Sequence, residues 1–157
     1  MWVLETIREN LERISPQCPG CLRRIDELPH EKAVRIAAYL WEGCFQSTND
    51  VWITVCSGLL YEIPLEWFQA HIMEVLDSAA VNWYDDFEFY NLCAVFYHAP
   101  EVLVQVLDCA GQNIPENHAD EWLSDAREMM GTWGHFQMIT ENYERIRNLE
   151  SAVWHRE

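Results

Sequence analysis

Ile72-Met73-Glu74-Val75-Leu76-Asp77-Ser78-Ala79-Ala80-Val81-Asn82 and Leu103-Val104-Gln105-Val106-Leu107-Asp108-Cys109-Ala110-Gly111-Gln112-Asn113 are two renderings of one pattern, 31 residues apart. Apolar residues at 72, 75, 76 and 79 recur at intervals of three and four, the spacing that collects them on one face of a helix. The same face returns at 103, 106, 107 and 110, each time with an aspartate and an asparagine at matching places. Shifting Leu92 by the same interval lands on Leu123. An interval of this length leaves room for two helices per unit, as in stacked helical hairpins.

Working outward, helical periodicity continues in both directions. Pro64 suits the first turn of the helix that carries Leu65, Phe68 and Ile72. Asn82 is expected to cap a fifth helix, with Asp85, Asp86 and Glu88 in its first turns, where negative charge is favoured. That helix continues through Leu92-Cys93-Ala94-Val95-Phe96-Tyr97, apolar on all sides, and is expected to be central and buried. Pro100 opens a sixth helix and Gly111 closes it. A seventh runs from about His118 to Met130, and a last one carries Phe136, Ile139, Tyr143, Ile146, Leu149 and Val153. Toward the N-terminus, Leu4, Ile7, Leu11 and Ile14 mark a first helix. Cys18-Pro19-Gly20-Cys21 reads as a type II turn. A second helix follows Pro29, and Thr48 or Asn49 caps a third over 51–60. Only Val51-Trp52-Ile53-Thr54-Val55 has strand-like propensity.

The expected fold class is therefore all-α, about eight helices in a single domain over residues 1–157. The arrangement is either stacked helical hairpins or an irregular helical bundle. Over roughly residues 64–130 the apolar pattern resembles HEAT-like repeat proteins, which implies the stacked arrangement.

Half of the residues are hydrophobic and 13% are aromatic, enough for a packed core. The opening residues, MWVLETIRENLERIS, include acids and no uninterrupted apolar block, so no secretory signal is expected. No segment approaches the roughly 20 apolar residues of a membrane helix. A cytoplasmic protein is the expectation. Disulfides are accordingly not expected, and Cys44, Cys56, Cys93 and Cys109 sit in apolar helical patterns as small hydrophobes.

Charge is distributed unevenly. The net charge is -16, yet residues 1–35 hold six acids and six bases. Between Arg35 and Arg127 there is no Lys or Arg, and these 91 residues carry 15 acids. A field of one sign costs stability by self-repulsion. It repels nucleic acid and acidic membranes and attracts basic protein surfaces. Two clusters concentrate it. The first is Trp83-Tyr84-Asp85-Asp86-Phe87-Glu88-Phe89-Tyr90, where aromatic anchors stand beside carboxylates. The second is Glu116, Asp120, Glu121, Asp125 and Glu128 on the seventh helix, where Arg127 is the one base. The candidate partner-binding residues are Trp83, Tyr84, Asp85, Asp86, Glu88, Glu116, Asp120, Glu121 and Asp125. The competing account makes the carboxylates helix caps and an ordinary solvated face, with the aromatics in the core.

Other constellations are weaker. Cys18-x-x-Cys21 supplies half a zinc set, with His30 and Cys44 as the conceivable completers, but a structural turn is the favoured reading. His71/Glu74, His98/Glu101 and His118/Glu121 have a His and a carboxylate three apart, so each pair shares a helix face. They read as surface pairings, and no metal or other cofactor is expected. Catalytic motifs such as HExxH, GxSxG or a phosphate-cradling glycine loop are missing.

In size, charge and helicity the chain resembles bacterial immunity proteins that neutralise toxin domains, and phage-encoded DNA mimics and anti-defence proteins. This implies a non-enzymatic inhibitor covering the basic face of a toxin, nuclease or other nucleic-acid-binding protein, without touching nucleic acid or membrane itself. A helical-repeat adaptor that binds a peptide or helix is the second reading. A metal-dependent enzyme using the His/Glu pairs is the third.

Overall fold

Ala33, Ala37, Ala38 and Gly43 alternate with Ile36, Leu40, Trp41 and Phe45 along one helix, His30–Phe45, and ten of its 16 residues are buried. Small residues let neighbouring backbones approach while the large ones fill the space between, so other helices close around it on several sides. The computed structural model describes residues 2–97 and 99–130. In chain order these form α1 (Trp2–Ile14), a 3-10 helix (Leu22–Glu27), α2 (His30–Phe45), α3 (Asp50–Leu60), α4 (Leu65–Ser78), α5 (Asp86–Ala94), α6 (Pro100–Asn113) and α7 (Glu116–Met130). The fold is all-α, with these eight helices and no strand among the described residues. No described helix is long and apolar enough to cross a membrane.

Helix α2 packs against α1, α3, α4, α5 and the 3-10 helix. A second tier is built from α4 on α6, α5 on α7, and α6 on α7. The two 31-spaced segments lie on α4 and α6, which pack together. Ile72, Val75 and Leu76 are buried like Leu103, Val106 and Leu107, while Asp77 and Asp108 both face solvent. The match stops at the helix ends: α4 ends at Ser78, before Asn82, whereas α6 runs through to Asn113.

Among the described residues, Gly43 is the glycine that a close approach demands. A Cβ there would lie 2.3 Å from Cys56 Sγ and 3.1 Å from Trp52 Nε1 on α3. The strand-prone stretch 51–55 is helical. Asn49 fixes its start by accepting from the Val51 and Trp52 amides at 3.0 and 3.2 Å, and Val55, Cys56, Leu59 and Leu60 face inward. Packing against α2 overrides the local preference of β-branched residues.

Several expectations need correction. The central helix is α2, not α5. Helix α5 buries Phe89, Leu92 and Cys93 but exposes Asp86 and Phe87, and it ends at Ala94. Val95, Phe96 and Tyr97 are buried in a turn that follows it. Pro100 restricts the residue before it to non-helical backbone, and Ala99 sits at φ −128, ψ 74, so the chain has to break before α6. The Phe96 amide bonds Cys93 O, and the Trp41 indole donates to the Leu92 carbonyl at 3.0 Å. Helix α5 is capped by Asp85, not Asn82. Helix α6 continues two residues past Gly111. Gly20 does not adopt positive φ, so 18–21 is not a type II turn, and the Leu22 amide bonds Pro19 O instead. The 3-10 segment, which no expectation included, brings the described helices to eight. The expected helix at 136–153 lies outside the described residues.

Candidate functional site

Two acidic clusters 30 residues apart in sequence meet where α5 packs on α7. Phe89 stacks on Trp122 with centroids 5.9 Å apart, and Tyr90 lies 6.4 Å from the same indole. This aromatic seam fixes the two helices, and the Tyr90 hydroxyl donates to Asp125 Oδ2 at 2.8 Å across it. Burial pushes the Tyr90 phenol up, and the bond to Asp125 and the negative field of Asp125, Glu121 and Asp86 push it further, to about 12. That cause joins carboxylates from both clusters at one phenol, because a negative field disfavours phenolate. An open cleft of about 440 Å³ lies beside it, lined by Tyr90, Ala94, Tyr97, Asp125, Glu128 and Met129 among others.

The nine sequence-named residues divide into two kinds. Asp85 accepts from the Phe87 amide at 2.9 Å, Glu88 from the Asn82 amide at 2.9 Å, and Asp125 from Tyr90. Trp83 is half-buried and packs against the core. These four have structural work, as the competing account required. Asp86, Glu116, Asp120 and Glu121 are exposed and have no hydrogen bond or ion pair among the described residues. Tyr84 is 80% exposed on the loop before α5. Asp86 and Glu121 both add to the negative field at Tyr90, while Glu116 starts α7. Tyr90, part of the first cluster, and Tyr97 are not among the nine candidates. Their helical phase pointed them inward, and only the docking of α7 puts Tyr90 against a carboxylate.

Across residues 36–126 the negative charge is mostly outward. Of the 15 acids there, Glu62 is the buried one, and it pairs with Arg23 at 3.5 Å. The described bases other than Arg127 lie on α1, the 3-10 helix and the first half of α2. The molecule is thus electrically lopsided, with α3 to α7 carrying the excess.

Cys18 and Cys21 are both buried, with their sulfurs 3.0 Å apart. The shared hydrogen bond holds the Cys18 thiol up and brings Cys21 down. Neither suggested completer reaches them: His30 bonds Glu74, and Cys44 bonds the Leu40 carbonyl and Ser57. Among the His/Glu pairs, His118 stacks flat on Trp122, with centroids 5.1 Å apart, rather than bonding Glu121. His98 lies outside the described residues. His71 does bond Glu74, at 3.1 Å, and His30 from α2 bonds the same carboxylate at 2.5 Å.

No protein family, curated protein or solved structure matches this chain.

Proposed function

We propose that the chain is a non-enzymatic protein inhibitor that binds and covers the basic face of a nuclease, toxin or other nucleic-acid-binding protein. The observation that carries this reading is the acidic surface of α5 and α7, where Tyr90 of one helix bonds Asp125 of the other and Asp86, Glu116, Asp120 and Glu121 stand exposed without partners among the described residues. Exposed carboxylates without cations of their own occupy the Lys and Arg sites that would otherwise hold phosphates. Tyr84 and Phe87, exposed beside them, supply the aromatic contact that interfaces use as anchors. The missing Lys and Arg across α3 to α6 keep that field uncompensated and steer a cationic partner toward it. Such a mode resembles that of immunity and anti-defence proteins and needs no cofactor.

The test is capture of the partner by the full chain, followed by affinity measurement with the purified pair at about 0.05 M and 0.5 M salt. A basic partner whose affinity falls steeply with salt, and falls again in D86N/D120N/E121Q, supports the reading. Equal affinity at both salt concentrations removes it. The apolar part of the cleft, Ala94, Tyr97 and Met129, favours the second reading, an adaptor for a peptide or helix. There, Met129→Ala weakens binding and salt does not.

A further inference from the structure

His30, His71 and Glu74 make a separate site on α2 and α4, outside the α5–α7 surface. His30 is the first residue of α2, while His71 and Glu74 lie one turn apart on α4. Packing of α2 on α4 brings the two helices' donors together over 41 residues of sequence. His30 Nε2 is 2.5 Å from Glu74 Oε2, and His71 Nδ1 is 3.1 Å from Glu74 Oε1. The ligand atoms of all three residues lie within 4.8 Å of one another. The imidazoles meet edge to face with centroids 4.9 Å apart, and Trp67, itself buried, backs His71 at 5.0 Å.

We propose that His30, His71 and Glu74 form a three-ligand site for a divalent transition metal of the zinc class. In a tetrahedral zinc site with bonds of about 2.1 Å, neighbouring ligand atoms stand roughly 3.4 Å apart. Two of the separations lie just below that value and all three ligand atoms fall within 4.8 Å, so side-chain adjustments on the order of 1 Å create the site without moving either helix. Two imidazoles and one carboxylate suit zinc, cobalt, nickel or copper, whereas magnesium and calcium take oxygen-rich sets. Three protein ligands leave a fourth position for water or for an atom of a partner. The side chains of His30 and Glu74 are about half exposed, at 51% and 52%, so an ion reaches the site from solvent. In the metal-free state Glu74 serves both rings as hydrogen-bond acceptor, and these bonds hold its carboxyl below the usual range. The same contacts preorient the three ligands. The His71/Glu74 spacing is the half of this site legible in the chain; the third donor comes from a different helix.

The experiment uses the full chain, stripped by a chelator and titrated with Zn²⁺ by calorimetry and with Co²⁺ by visible absorption. The expected result is one equivalent bound, with the intense d–d bands of four-coordinate cobalt. Each of His30→Ala, His71→Ala and Glu74→Ala weakens binding by at least about tenfold, since even outer-shell losses cost 10–100-fold at metal sites. His118→Ala, at an exposed histidine with a carboxylate three residues on, leaves affinity unchanged. Circular dichroism of the three variants, altered at surface positions, checks that the fold is kept. Absence of stoichiometric binding overturns the proposal. So does binding that survives His30→Ala or that disappears in Cys18→Ser.

Discussion

Asp85 shows how one carboxylate serves two accounts that a pair of substitutions separates. Its oxygen caps α5, and its charge belongs to the acidic surface. Asparagine caps as well as aspartate, and alanine does not. Asp85→Asn should therefore leave stability nearly unchanged while weakening the basic partner's binding. Asp85→Ala should lower unfolding free energy by about 1 kcal/mol, a typical cap loss. Urea melts of the two variants check this, and equal stabilities would show that the cap contributes little. Tyr90 offers a second reading of the local field. The folded phenol, held up to about 12, stays protonated where an unfolded tyrosine, near 10, has lost its proton. The unfolded state then binds fewer protons, so this residue's contribution is intact below about pH 10 and is lost as pH rises toward 12. Tyrosinate absorbance should show one phenol titrating near 12 that moves downward in Asp125→Asn. An unmoved phenol would mean that the carboxylate is not what holds it.

At the scale of elements, α2 and its neighbours govern whether the molecule folds. Gly43 lets α3 approach closely, and no Cβ fits there without displacing the Cys56 side chain. Gly43→Ala should cost about 1–3 kcal/mol through overpacking, even though alanine is the better helix former. An equilibrium urea titration reads this directly, and a more stable variant would show that α3 has room to move. Trp41 ties α2 to the end of α5. Its indole meets the Leu92 carbonyl and its ring packs edge-on to Phe96 at 5.2 Å. Trp41→Phe removes that donor from a buried carbonyl and should cost about 1–3 kcal/mol. Because α5 bears half of the acidic surface, the loss should also loosen the α5–α7 seam. Faster amide exchange along α5 would report it.

At the scale of the whole molecule, the lopsided charge should make stability respond to salt. Self-repulsion among the outward carboxylates of α3 to α7 destabilises the compact state and is screened within about 10 Å at 0.1 M salt. Added sodium chloride should raise the melting temperature, the reverse of its effect on binding to a basic partner. A melting temperature that falls with salt would mean that attractive pairs, not repulsion, dominate the surface.

Periodicity alone determined that the chain is helical, and it located α1, α2, α3, α4, α6 and α7 to within a few residues, because burying one face of a helix leaves a repeating mark. It also determined the sign of the middle of the chain, since a segment without Lys or Arg stays negative in any fold. It misjudged what depends on neighbours. An all-apolar run suggested a central α5, but the helix ends at Ala94 and Val95, Phe96 and Tyr97 are buried in a turn, while the small residues of α2 made that helix the hub. Trp83, Glu88 and Asp125 carry the right chemistry for a surface, yet packing and backbone bonding decide how much of each faces outward. Only tertiary packing set Tyr90 against Asp125, and His30 beside His71 and Glu74. Contacts between helices depend on crossing angles and on the volumes between them, and no spacing along a single helix records either.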